Sequence, residues 1–206
     1  MNVFKVAPVL ESAVFSVEHA EVGEEVTVTA TFNKSLLRVQ ATMGSAPIDF
    51  TQQDELTWVS TFTMPNESGV NHVTLNMTDF NDVHGNAGVP NNAYALAYSP
   101  TLSFTGFDNQ IAVWEDNKVG FEGSFGYVDT AALSLTLVSK VDGSESETKA
   151  LNYNQSSREW SVGTWNLSNF KTGDVLLSFS GTVTLGDGAV VDAIDFAPAN
   201  KQFNLR

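Results

Sequence analysis

Oxygen-bearing side chains gather at two places in this sequence where they could hold a hard cation. Asp79, Asn81, Asp82 and Asn86 fall in one stretch, and Asp108, Glu115 and Asp116 in another. Calcium is bound by sets of carboxylate and carbonyl oxygens, and loops of this kind at the ends of β modules can brace a junction between them. Asp79, Asp82 and Asn86 are therefore the candidate calcium ligands, although no D-x-D-x-D-G spacing is present. Asp and Asn at such positions also stabilise turns through side-chain to backbone hydrogen bonds. Two tryptophans, Trp165 and Trp114, are candidate ligand anchors, because an exposed indole stacks on sugar rings or seats a protein partner. If alternation along the strand turns Trp160 inward, Trp165 points to the opposite face, unless Gly163 hosts a bulge that returns it to the core.

Catalytic constellations are not legible. His19, His72 and His84 are far apart, and none lies in an H-E-x-x-H spacing. There is no nucleophile elbow, Walker-type loop or dinucleotide fingerprint, and Gly186-Asp187-Gly188 reads as a hairpin turn rather than a phosphate cradle. The chain has no cysteine, which removes disulfides, thiolate metal sites and thiol nucleophiles together. Carboxylates are plentiful, but no spacing singles out a pair for glycoside chemistry, and small sandwiches rarely offer a deep cleft. The expectation is a protein that is not an enzyme, with no cofactor beyond the calcium candidate.

Charge narrows the partners. A formal net charge of −14, from 24 acidic and 10 basic residues, repels phosphate backbones and anionic membrane surfaces, so nucleic acid is not an expected partner. No apolar run is long enough for a membrane span, and the first residues lack the apolar core of a signal peptide. A fragment of a longer chain, with Met1 added, is the favoured explanation. Expected partners are neighbouring domains of the same chain and a glycan or protein receptor.

The elements that must position these residues are strands. In Glu25–Phe32, Val26, Val28, Ala30 and Phe32 alternate with Thr27, Thr29 and Thr31, the period-two pattern of a half-buried strand. Residues 56–64 set Leu56, Trp58, Ser60, Phe62 and Met64 against Thr57, Val59, Thr61 and Thr63, and residues 72–78 repeat the logic. Turn chemistry separates the runs, as at Gly23, Pro65-Asn66 and Gly85-Asn86. Helix should be nearly absent.

The second half repeats the first. Residues 118–127 alternate like the earlier strand, with Val119 and Phe125 falling 93 residues after Val26 and Phe32. Trp160 follows Trp58, and Val175 follows Val73, by 102. The step from 93 to 102 calls for about nine inserted residues, which the polar stretch at 140–149 could hold. These relations predict an all-β fold of two tandem immunoglobulin-like β-sandwich domains, residues 1–100 and a more divergent 101–206. The short connection, without a Gly/Ser-rich linker, predicts restricted relative motion and a semi-rigid rod.

Taken in order, Val22-Gly23-Glu24-Glu25-Val26-Thr27-Val28-Thr29, Phe32-Asn33-Lys34-Ser35, the Trp58 strand and Asp82-Val83-His84-Gly85-Asn86 resemble the bacterial immunoglobulin-like (Big-type) repeats over about residues 7–100. In the second unit Gly186-Asp187-Gly188 stands where His84-Gly85-Asn86 would, so its membership rests on the internal repeat. The missing core cysteines also point to bacteria or phage, since eukaryotic extracellular immunoglobulin domains usually carry a disulfide. The resemblance implies a non-catalytic spacer or adhesion module of a larger bacterial surface or secreted protein, located outside the cell. The alternatives are a carbohydrate-binding module using Trp165 or Trp114, and an accessory domain of a phage virion protein. Specialised binding is expected in the second unit, where the pattern departs from the repeat.

Overall fold

The computed structural model describes residues 6–111, 118–141 and 146–206. It is all-β apart from one four-residue helix among the described residues. The chain divides into two compact units, Met1–Ser99 and Pro100–Arg206.

The first unit contains β1 (Leu10–Phe15), β2 (His19–Ala20), β3 (Glu25–Phe32), β4 (Leu36–Met43), β5 (Ala46–Asp49), β6 (Thr51–Gln52), β7 (Thr57–Thr63), β8 (His72–Asp82) and β9 (Asn91–Tyr98). They form two sheets, ordered β1-β3-β7-β6 and β2-β9-β8-β4-β5. These are the A-B-E-D and A′-G-F-C-C′ orders of an immunoglobulin-type sandwich. The period-two sequence pattern is the cause: in β3 Val26, Val28, Ala30 and Phe32 are fully buried, while the threonines between them are half-exposed. The inner faces meet where Phe32 of one sheet packs on Phe80 of the other, ring centroids 5.2 Å apart. Burial of each such side chain contributes about 1.5–3 kcal/mol.

The second unit runs β10 (Thr101–Phe104), β11 (Gln110–Ile111), β12 (Lys118–Gly126), β13 (Val128–Ser139), β14 (Ser146–Ala150), β15 (Asn152–Asn154), β16 (Glu159–Asn166), β17 (Gly173–Leu185), β18 (Val190–Asp192), α1 (Ala193–Phe196) and β19 (Gln202–Leu205). Its sheets, β10-β12-β16-β15 and β11-β19-β17-β13-β14, repeat both strand orders, with β18 added against β17.

Cross-strand pairing shows that the correspondence extends to register. Leu10 stands opposite Phe32 and Leu102 opposite Phe125; Ala30 stands opposite Trp58 and Gly123 opposite Trp160. In the other sheets Met43 faces Leu75 and Leu137 faces Leu177. The main difference in length lies between β4 and β5 and between β13 and β14. In the first unit Met43 pairs with Ala46 across a tight turn, whereas in the second Leu137 pairs with Glu147, at the far end of a longer hairpin. Residues 142–145 of that hairpin lie outside the described residues.

One tryptophan anchors the second core. Trp160 is almost wholly buried and meets Phe104, Phe125 and Phe179 at centroid distances of 5.1, 6.4 and 6.0 Å. Its indole N–H donates to the Ser103 carbonyl at 3.1 Å, tying the edge strand β10 to the core. The ring fits only because its cross-strand neighbour is glycine: a Cβ on Gly123 would lie 1.8 Å from the Ser103 oxygen and 2.8 Å from the indole. In the first unit Ala30 occupies that place, and the buried Trp58 N–H has no hydrogen-bond partner.

Gly123→Ala should therefore destabilise the protein by about 1–3 kcal/mol or more, because the nearest clash is with backbone that cannot swing aside. Gly163→Ala, where an added Cβ meets nothing within 4 Å, is expected to cost much less. Urea denaturation of the two variants checks this; equal costs would overturn the role given to Gly123.

Candidate functional site

The predicted cation loop is the turn that joins β8 to β9. The Asp82 side chain is almost wholly buried. Its Oδ1 accepts the backbone N–H groups of His84 and Asn86, both at 2.9 Å, and its Oδ2 accepts Asn86 Nδ2 at 2.8 Å. The Lys34 ammonium stands 3.7 Å from Oδ2. Gly85, at a φ of 79°, allows the chain to reverse, and its N–H donates to the Asp82 carbonyl. The Asn86 side-chain hydrogen bond, then the two amides and Lys34, hold the Asp82 carboxyl at a pKa of about 2, against an ordinary 3.8.

The structure gives each of the candidate calcium ligands Asp79, Asp82 and Asn86 a protein partner. Asp82 spends its oxygens on its own turn, Asn86 is the donor that satisfies it, and the Asp79 carboxylate is paired with the Arg38 guanidinium. A cation entering here would have to displace bonds that the fold already uses. No cluster of three or more His, Asp or Glu able to hold a metal exists among the described residues. Asp108 is exposed, while Glu115 and Asp116 lie outside the described residues. The histidines do not converge as a triad: His19 and His72 both stand opposite Ala97, and His84 sits in the turn at the far end of β8.

Trp165 is also corrected as a surface anchor. Val119 pairs with Trp165 and Phe121 with Val162, so Gly163 and Thr164 together oppose the single residue Gly120. This two-against-one bulge reverses the alternation and turns Trp165 into the core. It is fully buried against Phe121, with the Lys149 ammonium 5.3 Å above its ring and Lys149 Nζ donating to the Thr164 carbonyl at 2.6 Å. Trp114, the other candidate anchor, lies outside the described residues.

What the sequence reading missed is a polar depression of about 410 Å³ on the outer face of the β10-β12-β16-β15 sheet. Register builds it: Asn152, Ser161 and Glu122 form one cross-strand row, and Asn154, Glu159 and Ser124 the next. All six side chains are exposed. Asn154 is committed to its own turn, since its Oδ1 accepts from the backbone of Ser156 and Ser157. Tyr153 lies below, its hydroxyl donating to the Val128 carbonyl at 2.8 Å and its pKa raised by burial. Amide, hydroxyl and carboxylate groups at strand spacing suit a hydroxylated ligand.

No family model matches the chain, so the Big-type resemblance has no match of that kind, and no curated protein matches. Among solved structures, the full extracellular region of plexin A4 aligns over 94% of this chain at 11% identity and a TM-score of 0.33. The chain spans 16% of the length of that plexin. The immunoglobulin-like description rests on the strand orders above. No described helix is long and apolar enough to cross a membrane.

The Asp82 turn predicts an acid-sensitive stability. With its folded pKa at about 2 and the ordinary value at 3.8, the carboxylate contributes fully above about pH 4. As the pH falls toward 2, the unfolded chain takes up the proton first and the contribution is lost. The urea midpoint should therefore fall across this window. Asp82→Asn should lower it at pH 7 and flatten its decline between pH 4 and 2. A variant midpoint with the same acid dependence as the parent would refute the assignment. Some dependence should remain, because the backbone N–H of Leu56 also holds the Asp54 carboxyl low.

Proposed function

We propose that this chain is a non-catalytic spacer or adhesion segment of a larger bacterial surface or secreted protein, built from immunoglobulin-like modules of the Big type. The observation that carries this reading is the repetition of one strand order and one cross-strand register in both units, down to Ala30–Trp58 and Gly123–Trp160. A scaffold repeated in strand order and in the register of its core pairs, with its main length change in one hairpin, is what a repeated module would show. The Asp82-to-Asn86 motif supports the family reading, because each of its defining residues has a structural task in the turn.

A second reading is favoured by the polar depression of the second unit: recognition of a neutral, polyhydroxylated glycan by Asn152, Glu122, Ser161 and Glu159. The two glutamates disfavour anionic sugars. A partner taken at this face would make the segment adhesive rather than a plain spacer.

Incubation with a panel of glycoside, ester and peptide substrates should give no turnover above buffer; saturable turnover would overturn the non-catalytic reading. On a glycan array, the adhesive reading expects signal on neutral glycans that Asn152→Ala and Glu159→Gln each reduce at least tenfold, with unchanged melting temperatures. Signal unaffected by both variants, or none at all, removes this face as the adhesive site and leaves the spacer.

A further inference from the structure

One cross-strand row on the outer face of the first unit is built from side chains of the metal-ligand type. His19 of β2 and His72 of β8 both pair with Ala97 of β9, the strand that lies between them. Ala20, Val73, Leu96 and Tyr98, the next residues along these strands, are buried in the core, so alternation turns His19, Ala97 and His72 to the other face together. The two histidines stand two strand spacings apart, about 9.5 Å between backbones. Only a methyl group projects between them, so the rings can lean toward each other over Ala97. Both rings are half-buried.

The ring nitrogens are disposed for a shared ion. His19 Nδ1 is hydrogen-bonded to Ser99 Oγ at 2.9 Å. With Nδ1–H as the donor, the lone pair lies on Nε2, and an oxygen partner of this kind is what usually orients a metal-binding imidazole. His72 Nδ1 is buried and has no hydrogen-bond partner, a cost that a bond to a cation would remove.

The second unit shows the same row in a closed form. Val73 pairs with Leu96 and Val175 with Phe203, so the next row is His72 on Ala97 in one unit and Asp174 on Asn204 in the other. Gln110 takes the place of His19. There the central residue is asparagine, and its Nδ2 donates to Asp174 Oδ1 at 2.8 Å, so the polar groups satisfy one another across the strands. In the first unit the central side chain is cut back to a methyl and both flanks are imidazoles.

We infer that His19 and His72 form a two-histidine site over Ala97 for a divalent transition cation such as Zn²⁺, with water completing its coordination. Imidazole suits zinc, nickel and copper, whereas calcium takes oxygen ligands. Each ring brings one nitrogen to about 2.0–2.1 Å from the ion. Two protein ligands make an exchangeable site on which folding does not depend. The inference is independent of both the spacer and the adhesive readings.

Calorimetric titration of the metal-free protein with Zn²⁺ should show one ion bound per chain. His19→Gln and His72→Gln should each weaken binding by about tenfold or more, since loss of even a supporting partner costs that much. His84→Gln, in the turn at the far end of β8, should leave it unchanged. The ring-nitrogen NMR signals of the unmodified protein give a readout that needs no variant: Zn²⁺ should shift one nitrogen of His19 and one of His72 together, with His84 unmoved. Absence of binding, binding that either glutamine variant at His19 or His72 leaves intact, or shifts confined to one of the two rings would overturn the site.

Discussion

A tryptophan packed across a small residue of the neighbouring strand is the constraint on which both units depend. The residue opposite the indole is small in both units, Ala30 and Gly123, and in the second unit a Cβ on Gly123 would meet the Trp160 ring at 2.8 Å, so the register of β12 on β16 is tied to that fit. A slip by one residue would set Trp58 or Trp160 against a side chain and carry every buried position of its strand to the solvent face. The second unit takes the constraint further. Gly123 lets Trp160 approach closely enough to hydrogen-bond the edge strand, joining Phe104, Phe125 and Phe179 in one aromatic core. The first unit uses alanine, and leaves the Trp58 donor without a protein partner.

The turns after β8 and β17 solve one geometric problem with opposite chemistry. Asp82 N–H donates to the Asn86 carbonyl and Gly85 N–H to the Asp82 carbonyl; in the second unit Leu185 and Ala189, and Gly188 and Leu185, make the same two bonds. Asp82 and Leu185 thus occupy equivalent, equally buried positions, opposite Leu36 and Val128. The polar version needs Asn86, two amides and Lys34 to compensate one desolvated carboxylate, and the apolar version needs none of them. Replacing a buried ionic network by a hydrophobic side chain of similar volume is often neutral or stabilising. The D-x-x-G-N motif is therefore one of two ways to close this turn, which explains why the second unit keeps the fold without it.

Strands were legible in the sequence because period two is written directly into residues such as those of β3 and β7. Register between the halves was legible for the same reason, through the offsets from Val26 to Val119 and Trp58 to Trp160. The candidate site was much less so. Asp79, Asp82 and Asn86 carry the right oxygens for a cation, yet spacing alone does not reveal that Arg38 and the turn amides already occupy them. For Trp165 two parities were open at Gly163, and only the pairing of Phe121 with Val162 decides between them. The polar rows on the second unit were invisible because Asn152, Ser161 and Glu122 are distant in sequence and meet only through the ladders of β15, β16 and β12.

The same sheet shows where the fold leaves freedom. On the outer face of β1-β3-β7, Ser12, Thr31 and Thr57 form one cross-strand row and Val14, Thr29 and Val59 another. The corresponding face of the second unit carries Asn152, Ser161 and Glu122, then Asn154, Glu159 and Ser124. β-branched side chains suit a pleated strand in their own right, whereas Asn and Glu are poor strand formers. The inner face of the same strand, β16, carries Trp160, Val162 and, through the bulge at Gly163, Trp165, all buried. Stability drawn from the inner face is what releases the outer face from its propensity requirement, and polar chemistry accumulates in the unit with the more heavily aromatic core.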